Sequence, residues 1–488
     1  MQIKLIYDIE GPDGVVANGW NYNYTNDMWD YNFKTDHPLI NAFNKKYEQI
    51  SIYDCNLNIG NHNIEKIHIS DIVYDNTFGV VKYDNSNSLF LYPIHPFGSI
   101  DTCIGNNSNY HQDTHCFEFI SIYAKKYIND AKNFYLVFDY SSEGDIRPEL
   151  FDNLHKNCEQ LNINPSKVII ITSAMNTRDL YQRYLNTTSQ KQQFYTTYFP
   201  WPVLSKKGEL KTYLDDTNQF EFNGFRNKIS FMNEDDYNLN LKRNKKCLIY
   251  NRRVAPHRVI LLSLLTNDNL LENITYSIDL SLHYNPDELG LDLANGSGYK
   301  NLPYLKNEKT KSNMINGFFK LKKIGKSTID YDNVGGVWGF GFEHKEPYLD
   351  TYFSVITETL FYEEGHYISE KSFKGIQHLH PFVIVGKPGI LKQLKNWGFK
   401  TFSDFWDESY DEIEDDSDRM EIVYGLIKSL IIKSDDEWVE LTKKLLPILI
   451  HNRNTLLSIN EKKFNEIYIK NIFNLVHHEP NQENYSLF

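Results

Sequence analysis

The sequence predicts an α/β protein of two Rossmann-like domains facing each other across a cleft, with helices at the C-terminal end. Three stretches carry that prediction. Phe134–Phe138 and Lys167–Thr172 are short apolar runs of the buried-strand type, and they bracket a helical stretch at Pro148–Leu161. Lys245–Asn251 reads as another strand, followed by a helix over Val259–Leu265. Tyr352–Phe402 then gives strand, loop, helix, strand, glycine turn and helix in succession. At 488 residues the chain is too long for one ordinary core. The pattern divides it into residues 1–240, 241–430 and a helical end at 431–488.

Composition narrows the class. Hydrophobic residues make up 41% of the chain, enough for globular domains. The net charge of -13 argues against a general nucleic-acid coat. Aromatics reach 15%, led by 34 Tyr, but Asn, Lys and Ile are abundant beside them, a mix that AT-rich coding produces without any function. The five cysteines are odd in number and form no C-x-x-C pair, so neither a disulfide framework nor a zinc site is expected. The N-terminus lacks the apolar core of a signal peptide, and no run approaches the ~18 apolar residues of a membrane span. A cytoplasmic protein is expected, in the host cytoplasm if the source is viral.

In chain order, Ile3–Ile9 and Leu89–Tyr92 alternate as strands do. Trp20, Trp29 and several tyrosines gather between Val16 and Phe33. His111, Asp113, His115 and Cys116 are metal-ligand types at close spacing, but no second cluster supports a site. Phe117–Asn129 reads as a helix. The strand after it ends at Asp139 and opens into an acidic loop, Ser141–Asp145, that contains Glu143. Asn176–Leu185 reads as a helix and Phe194–Val203 as a short strand, with a mixed polar connection over 205–240.

In the second half the strand at 245–251 runs into Arg252, Arg253, His257 and Arg258, basic groups at a strand-to-helix turn. Residues 283–333 read as a loop, and Asp330 and Asp332 form an isolated D-x-D. The strand Tyr352–Thr357 ends at Glu358. Ser369 is placed to cap the following helix, which begins with Glu370 and Lys371. Pro381–Val385 is a buried strand, Gly386–Gly389 a turn, and Ile390–Trp397 a helix stopped by Gly398. Asp404–Asp418 reads as a solvated acidic loop. Three helices follow, over Arg419–Ile432, from Asp435 or Asp436 to Ile450, and over Asn460–Val476.

The strand ending in Glu358, the Ser369-Glu370-Lys371 triplet, the Pro381-Phe382 strand and the Gly turn together resemble the donor-binding half of GT-B glycosyltransferases of the fucosyltransferase and exostosin type. The pattern through Gly398–Phe402 and Asp407–Asp411 looks like glycosyltransferase-like proteins of bacteriophages. The similarity covers about a quarter of the chain, and Ser369 stands where Thr is usual.

The resemblance implies transfer of a sugar from a nucleotide diphosphate sugar, acting as co-substrate, to the hydroxyl of a glycan, protein or modified-DNA acceptor, with no cofactor and no metal. It implies diphosphate contact by Arg252, Arg253, Arg258 and Lys371, with Ser369 heading the helix, and hydroxyl contacts by Glu358 and Glu370. Glu143, or else Asp139, would act as general base in an inverting reaction. A non-catalytic virion or scaffold protein keeping a worn transferase fold, and a DNA-modifying phage enzyme, are the alternatives.

Overall fold

Alternation along the first-half strands divides their side chains between two cores. In the computed structural model of the protein, the described residues are 2–7, 9–10, 16–17, 58–59, 62–68, 88–94, 117, 120, 122–131, 133–141, 144, 146–190, 192–215, 230–237, 241–251, 254–280, 305–327, 344–460 and 470–477. The first half holds β1 (Gln2–Tyr7), β2 (Ile9–Glu10), β3 (Val16–Ala17), β4 (Asn58–Ile59), β5 (His62–His68), β6 (Ser88–Ile94), α1 (Ile122–Asp130), β7 (Phe134–Tyr140), α2 (Pro148–Gln160), β8 (Val168–Thr172), α3 (Thr177–Thr187), β9 (Tyr195–Tyr198) and α4 (Trp201–Asp215). Its sheet has the order β4-β5-β1-β6-β7-β8-β9 and is parallel except for β4. The β2–β3 pair is a separate antiparallel ribbon.

Phe90, Tyr92, Leu136, Phe138 and Ile170 face one way, onto Leu150, Phe151 and Leu154 of α2 and Leu180 and Tyr181 of α3. Leu89, Leu91, Val137, Ile169 and Ile171 face the other way, where they join Val203, Leu204 and Leu210 of α4 and a core that continues into the second half.

The second half holds β10 (Lys245–Ile249), α5 (Pro256–Asn267), β11 (Ile274–Tyr276), β12 (Ile278–Asp279), α6 (Glu308–Ile324), β13 (Lys326–Ser327), α7 (Glu346–Leu349), β14 (Thr351–Thr357), α8 (Glu370–Gln377), β15 (Phe382–Val385), α9 (Ile390–Asn396), α10 (Asp416–Ile431) and α11 (Asp435–Ser458). Its sheet, β11-β10-β14-β15, is parallel throughout, and β12 pairs with β13 apart from it. The protein is therefore α/β with two parallel sheets. A helical segment at 470–476 follows α11.

Several boundaries differ from the sequence expectation. The strand expected over Phe194–Val203 stops at Tyr198, and Trp201 opens a helix, since Pro202 at the second helical position costs no hydrogen bond. The expected 205–240 connection is therefore helical at its start.

The 283–333 loop reading is overturned for 308–324. Asn307 accepts hydrogen bonds from the amides of Lys309 and Thr310, and Met314, Gly317, Phe318 and Leu321 make one buried stripe at helical spacing. A Cβ on Gly317 would lie 1.8 Å from the Ser263 carbonyl oxygen, so α6 packs backbone-close on α5 only with glycine there.

The acidic stretch at 404–418 is solvated at Asp404, Asp407, Glu412, Glu414 and Asp418 but anchored at three other carboxylates. The Asp411 carboxylate accepts from the amides of Leu391 (2.9 Å) and Lys392 (3.0 Å), capping α9 from a distance. Glu408 accepts from Thr401 Oγ1 and Phe402 N, and Asp415 caps α10. The cap of α11 is Ser434, in a capping box with Glu437, rather than Asp435 or Asp436.

α11 crosses back to the first half. The chain just beyond it accepts a hydrogen bond at Ile459 O from Lys207 Nζ of α4 (2.7 Å), and Arg453 donates to Met232 O. Among the described residues no helix is long and apolar enough to cross a membrane.

Candidate functional site

β10 and β14 lie side by side, with Ile249 opposite Val355. From β10 the chain leaves through α5 to β11 on one flank, and from β14 it leaves through α8 to β15 on the other. Right-handed crossovers in opposite directions put the two helices on opposite faces. α5 accordingly packs with α6 and α10, and α8 with α4 and α11. The carboxyl ends of β10 and β14 are thus the sheet's switch point, where the two helix starts diverge and where sheets of this kind bind ligands.

Glu358 lies at this switch point. It is fully buried and follows the last residue of β14. Its carboxylate accepts from Ser372 Oγ at 2.6 Å, from Ser369 N at 3.2 Å on each oxygen, and from Thr359 N at 3.1 Å. These bonds tie the end of the strand to the first turn of α8. Its carbonyl oxygen faces α5, accepting from His257 Nε2 (2.9 Å) and Arg258 Nη2 (3.1 Å).

Because a carbonyl only accepts, the His257 proton sits on Nε2. Burial, the neighbouring Arg258 charge and, further down, the Lys371 charge hold this imidazole well below its ordinary range, so it is neutral. His257 and Arg258 are inside α5, which begins at Pro256 instead of Val259. Gly386 packs closely against Glu358: a Cβ there would come within 3.1 Å of the Glu358 Cβ and 2.6 Å of the Ile390 Cδ1.

Above Glu358, Ser369 caps α8, its Oγ accepting from Lys371 N at 3.3 Å. Lys371 Nζ donates to Glu370 Oε1 (2.8 Å), Thr359 Oγ1 (3.2 Å) and Ser369 Oγ (3.4 Å). The side chains of Glu370 and Lys371 are 24% and 27% exposed, which leaves both within reach of a ligand. Burial pushes the Glu370 carboxyl upward. Lys371, followed by Lys374 and Lys206, outweighs it and brings the pKa down to about 2, so Glu370 stays ionised at neutral pH.

Glu358, Ser369, Glu370, Lys371 and Arg258 therefore meet at one strand edge. Arg252, Arg253 and Glu143 lie outside the described residues, as do Asp330, Asp332 and the His111–Cys116 cluster. Asp139 is not at a strand end: β7 runs on to Tyr140, and the carboxylate is buried, accepting from Ser141 N at 3.0 Å. The sequence reading missed Ser372 as a partner of Glu358. Its one signal is its position three residues after the capping serine.

A loop from the second half reaches the first beside this edge. Met175 N donates to His366 O (2.8 Å), His366 N to Asn176 Oδ1 (2.8 Å), and Asn176 Nδ2 to Glu364 O (2.9 Å). A Cβ on Gly144, in the loop after β7, would overlap the Tyr367 ring. The segment joining Glu358 to Ser369 thus rests on the carboxyl-end loops of the first sheet.

No family model matches the sequence, and no curated protein matches it. Among solved structures the chain is similar to a trehalose-6-phosphate synthase, OtsA, at 9% identity and a TM-score of 0.36, over 97% of this chain and 99% of that one. Overlap of that extent specifies neither a donor nor an acceptor.

Proposed function

We propose that this chain is a GT-B glycosyltransferase that moves a sugar from a nucleotide diphosphate sugar to an acceptor hydroxyl without a metal. The observation that supports it is that α5 and α8 start from neighbouring strands, with Lys371 and Arg258 at the switch point of the second sheet. Helix starts present free amides and positive potential, which suit a diphosphate. Lys371 Nζ and the Glu370 amide at the start of α8 bind the leaving diphosphate, with Arg252 and Arg253 from the chain that precedes α5. Glu370, ionised and accessible, accepts from hydroxyls of the ribose or sugar. Glu358 and Ser369 hold the start of α8 in place, and Arg258 braces the end of β14.

In the transfer, the acceptor oxygen attacks the anomeric carbon as the bond from that carbon to the phosphate oxygen breaks. The electron pair leaves with the diphosphate, where the cations and amides stabilise it. The acceptor proton goes to a base on the first half, Glu143 in this reading, since Asp139 is buried within β7.

Single substitutions Glu370→Ala and Lys371→Ala test the assignment. Each is expected to lower donor hydrolysis or transfer by about 10²-fold or more with an unchanged denaturation midpoint. Wild-type turnover in both variants contradicts the site. Failure of the wild type to bind any common nucleotide sugar favours a scaffold role.

A further inference from the structure

Asn251 sits at the carboxyl end of β10, one strand across from Thr357 at the end of β14. Neighbours on both sides fix it. Its amide N donates to Ser277 Oγ at 3.0 Å, and Thr357 Oγ1 donates to its Oδ1 at 2.6 Å. The residue is 2% exposed, yet its Nδ2 has no hydrogen-bond partner among the described residues. Buried amide groups are nearly always paired in folded proteins, so an oriented donor left over at a strand end marks a place for a ligand acceptor.

The chain immediately beyond is Arg252 and Arg253, then α5, whose capping position is Ala255 and provides no side-chain cap. Pro256 at the first helical position has no N–H and Arg258 N donates to Ala255 O at 3.1 Å, so the first turn of this helix leaves the His257 amide for a ligand.

We infer that Asn251 is a ligand-reading residue, donating through Nδ2 to a non-bridging oxygen of the diphosphate at the switch point. This rests on the transferase reading above. Nδ2 is a donor and so takes an acceptor oxygen such as a phosphate's, and the start of α5, Arg258 and Lys371 bring positive charge to this edge beside the Glu358 and Glu370 carboxylates. Thr357 is then a positioning residue, since its hydroxyl holds the Asn251 carbonyl oxygen and so fixes which end of the amide meets the ligand.

The test is calorimetry on the full chain with UDP, GDP, ADP and inorganic pyrophosphate, and with uridine, guanosine and adenosine for comparison. Asn251→Asp keeps the oxygen that Thr357 binds and replaces the donor with a second oxygen. It is expected to weaken diphosphate and pyrophosphate binding about 100-fold while changing affinity for the matching nucleoside less than threefold. Asn251→Ala is expected to lose about tenfold on the same ligands. A denaturation midpoint for each variant separates lost binding from lost fold.

Asn251→Asp binding diphosphate within threefold of wild type overturns the inference and leaves the transferase reading standing. A wild-type chain that binds no diphosphate and no pyrophosphate overturns both.

Discussion

Arg419→Met is expected to destabilise the protein by about 3–5 kcal/mol. Arg419 is 1% exposed in the first turn of α10 and joins three separate loops at the carboxyl edge of the second sheet. Its Nη2 donates to Phe361 O (3.0 Å), its Nε to Gly386 O (3.1 Å), and its Nη1 to Ile413 O (2.8 Å) and Glu414 O (3.1 Å), while the guanidinium lies 4.4 Å from the Phe361 ring centroid. Methionine fills the volume but leaves these carbonyls without a donor. Arg419→Lys is expected to recover little, because a point charge cannot span four carbonyls as a planar fork does. Urea denaturation with an unchanged slope measures the loss. A midpoint equal to wild type in Arg419→Met contradicts this account of the edge.

Glu358→Ala is expected to cost a similar amount, about 3–5 kcal/mol, because hydrogen bonds to a charged group are worth ~1.5–3 kcal/mol each. It strands Ser369 N, Thr359 N and Ser372 Oγ, all donors to the removed carboxylate. The functional consequence is separate from the loss of stability. With the tether gone, the first turn of α8 is no longer fixed to the end of β14, and Lys371 loses its preorganised position. Diphosphate affinity measured well below the variant's melting temperature is therefore expected to fall as well. Glu358→Gln should be intermediate, keeping one acceptor but turning a donor toward other donors. Glu358→Ala with wild-type midpoint and wild-type affinity contradicts the tether.

The parts of this structure legible in the sequence are those with local causes. Ser369 before an apolar helix reads as a cap, and it caps. Gly389 (φ 83°) and Gly398 (φ 76°) sit where the chain needs left-handed backbone, so the turn and the helix stop were both visible. Strand β14 reads as an alternating apolar run over Tyr352–Thr357, and all seven of its residues are buried.

What stayed hidden has non-local causes. Asp411 caps a helix that starts about twenty residues earlier in the chain, so its acidic run looked like an ordinary solvated loop. Beyond its ion pair with Asp416, Arg419 binds backbone carbonyls, which carry no residue signature. In α6 the apolar stripe of Met314, Phe318 and Leu321 is diluted by lysines and asparagines on the other faces, and its packing on α5 depends on a glycine contact that only the tertiary structure shows. The neighbouring positions of the 251–258 and 358–371 turns follow from strand order, which sequence spacing does not specify.

The most direct measurement is a crystal structure of the protein soaked with a panel of nucleoside diphosphates. The account predicts diphosphate density between the start of α5 and the start of α8, within hydrogen-bond reach of Lys371 Nζ. Density elsewhere on the molecule, or none at saturating concentration of every base, contradicts it.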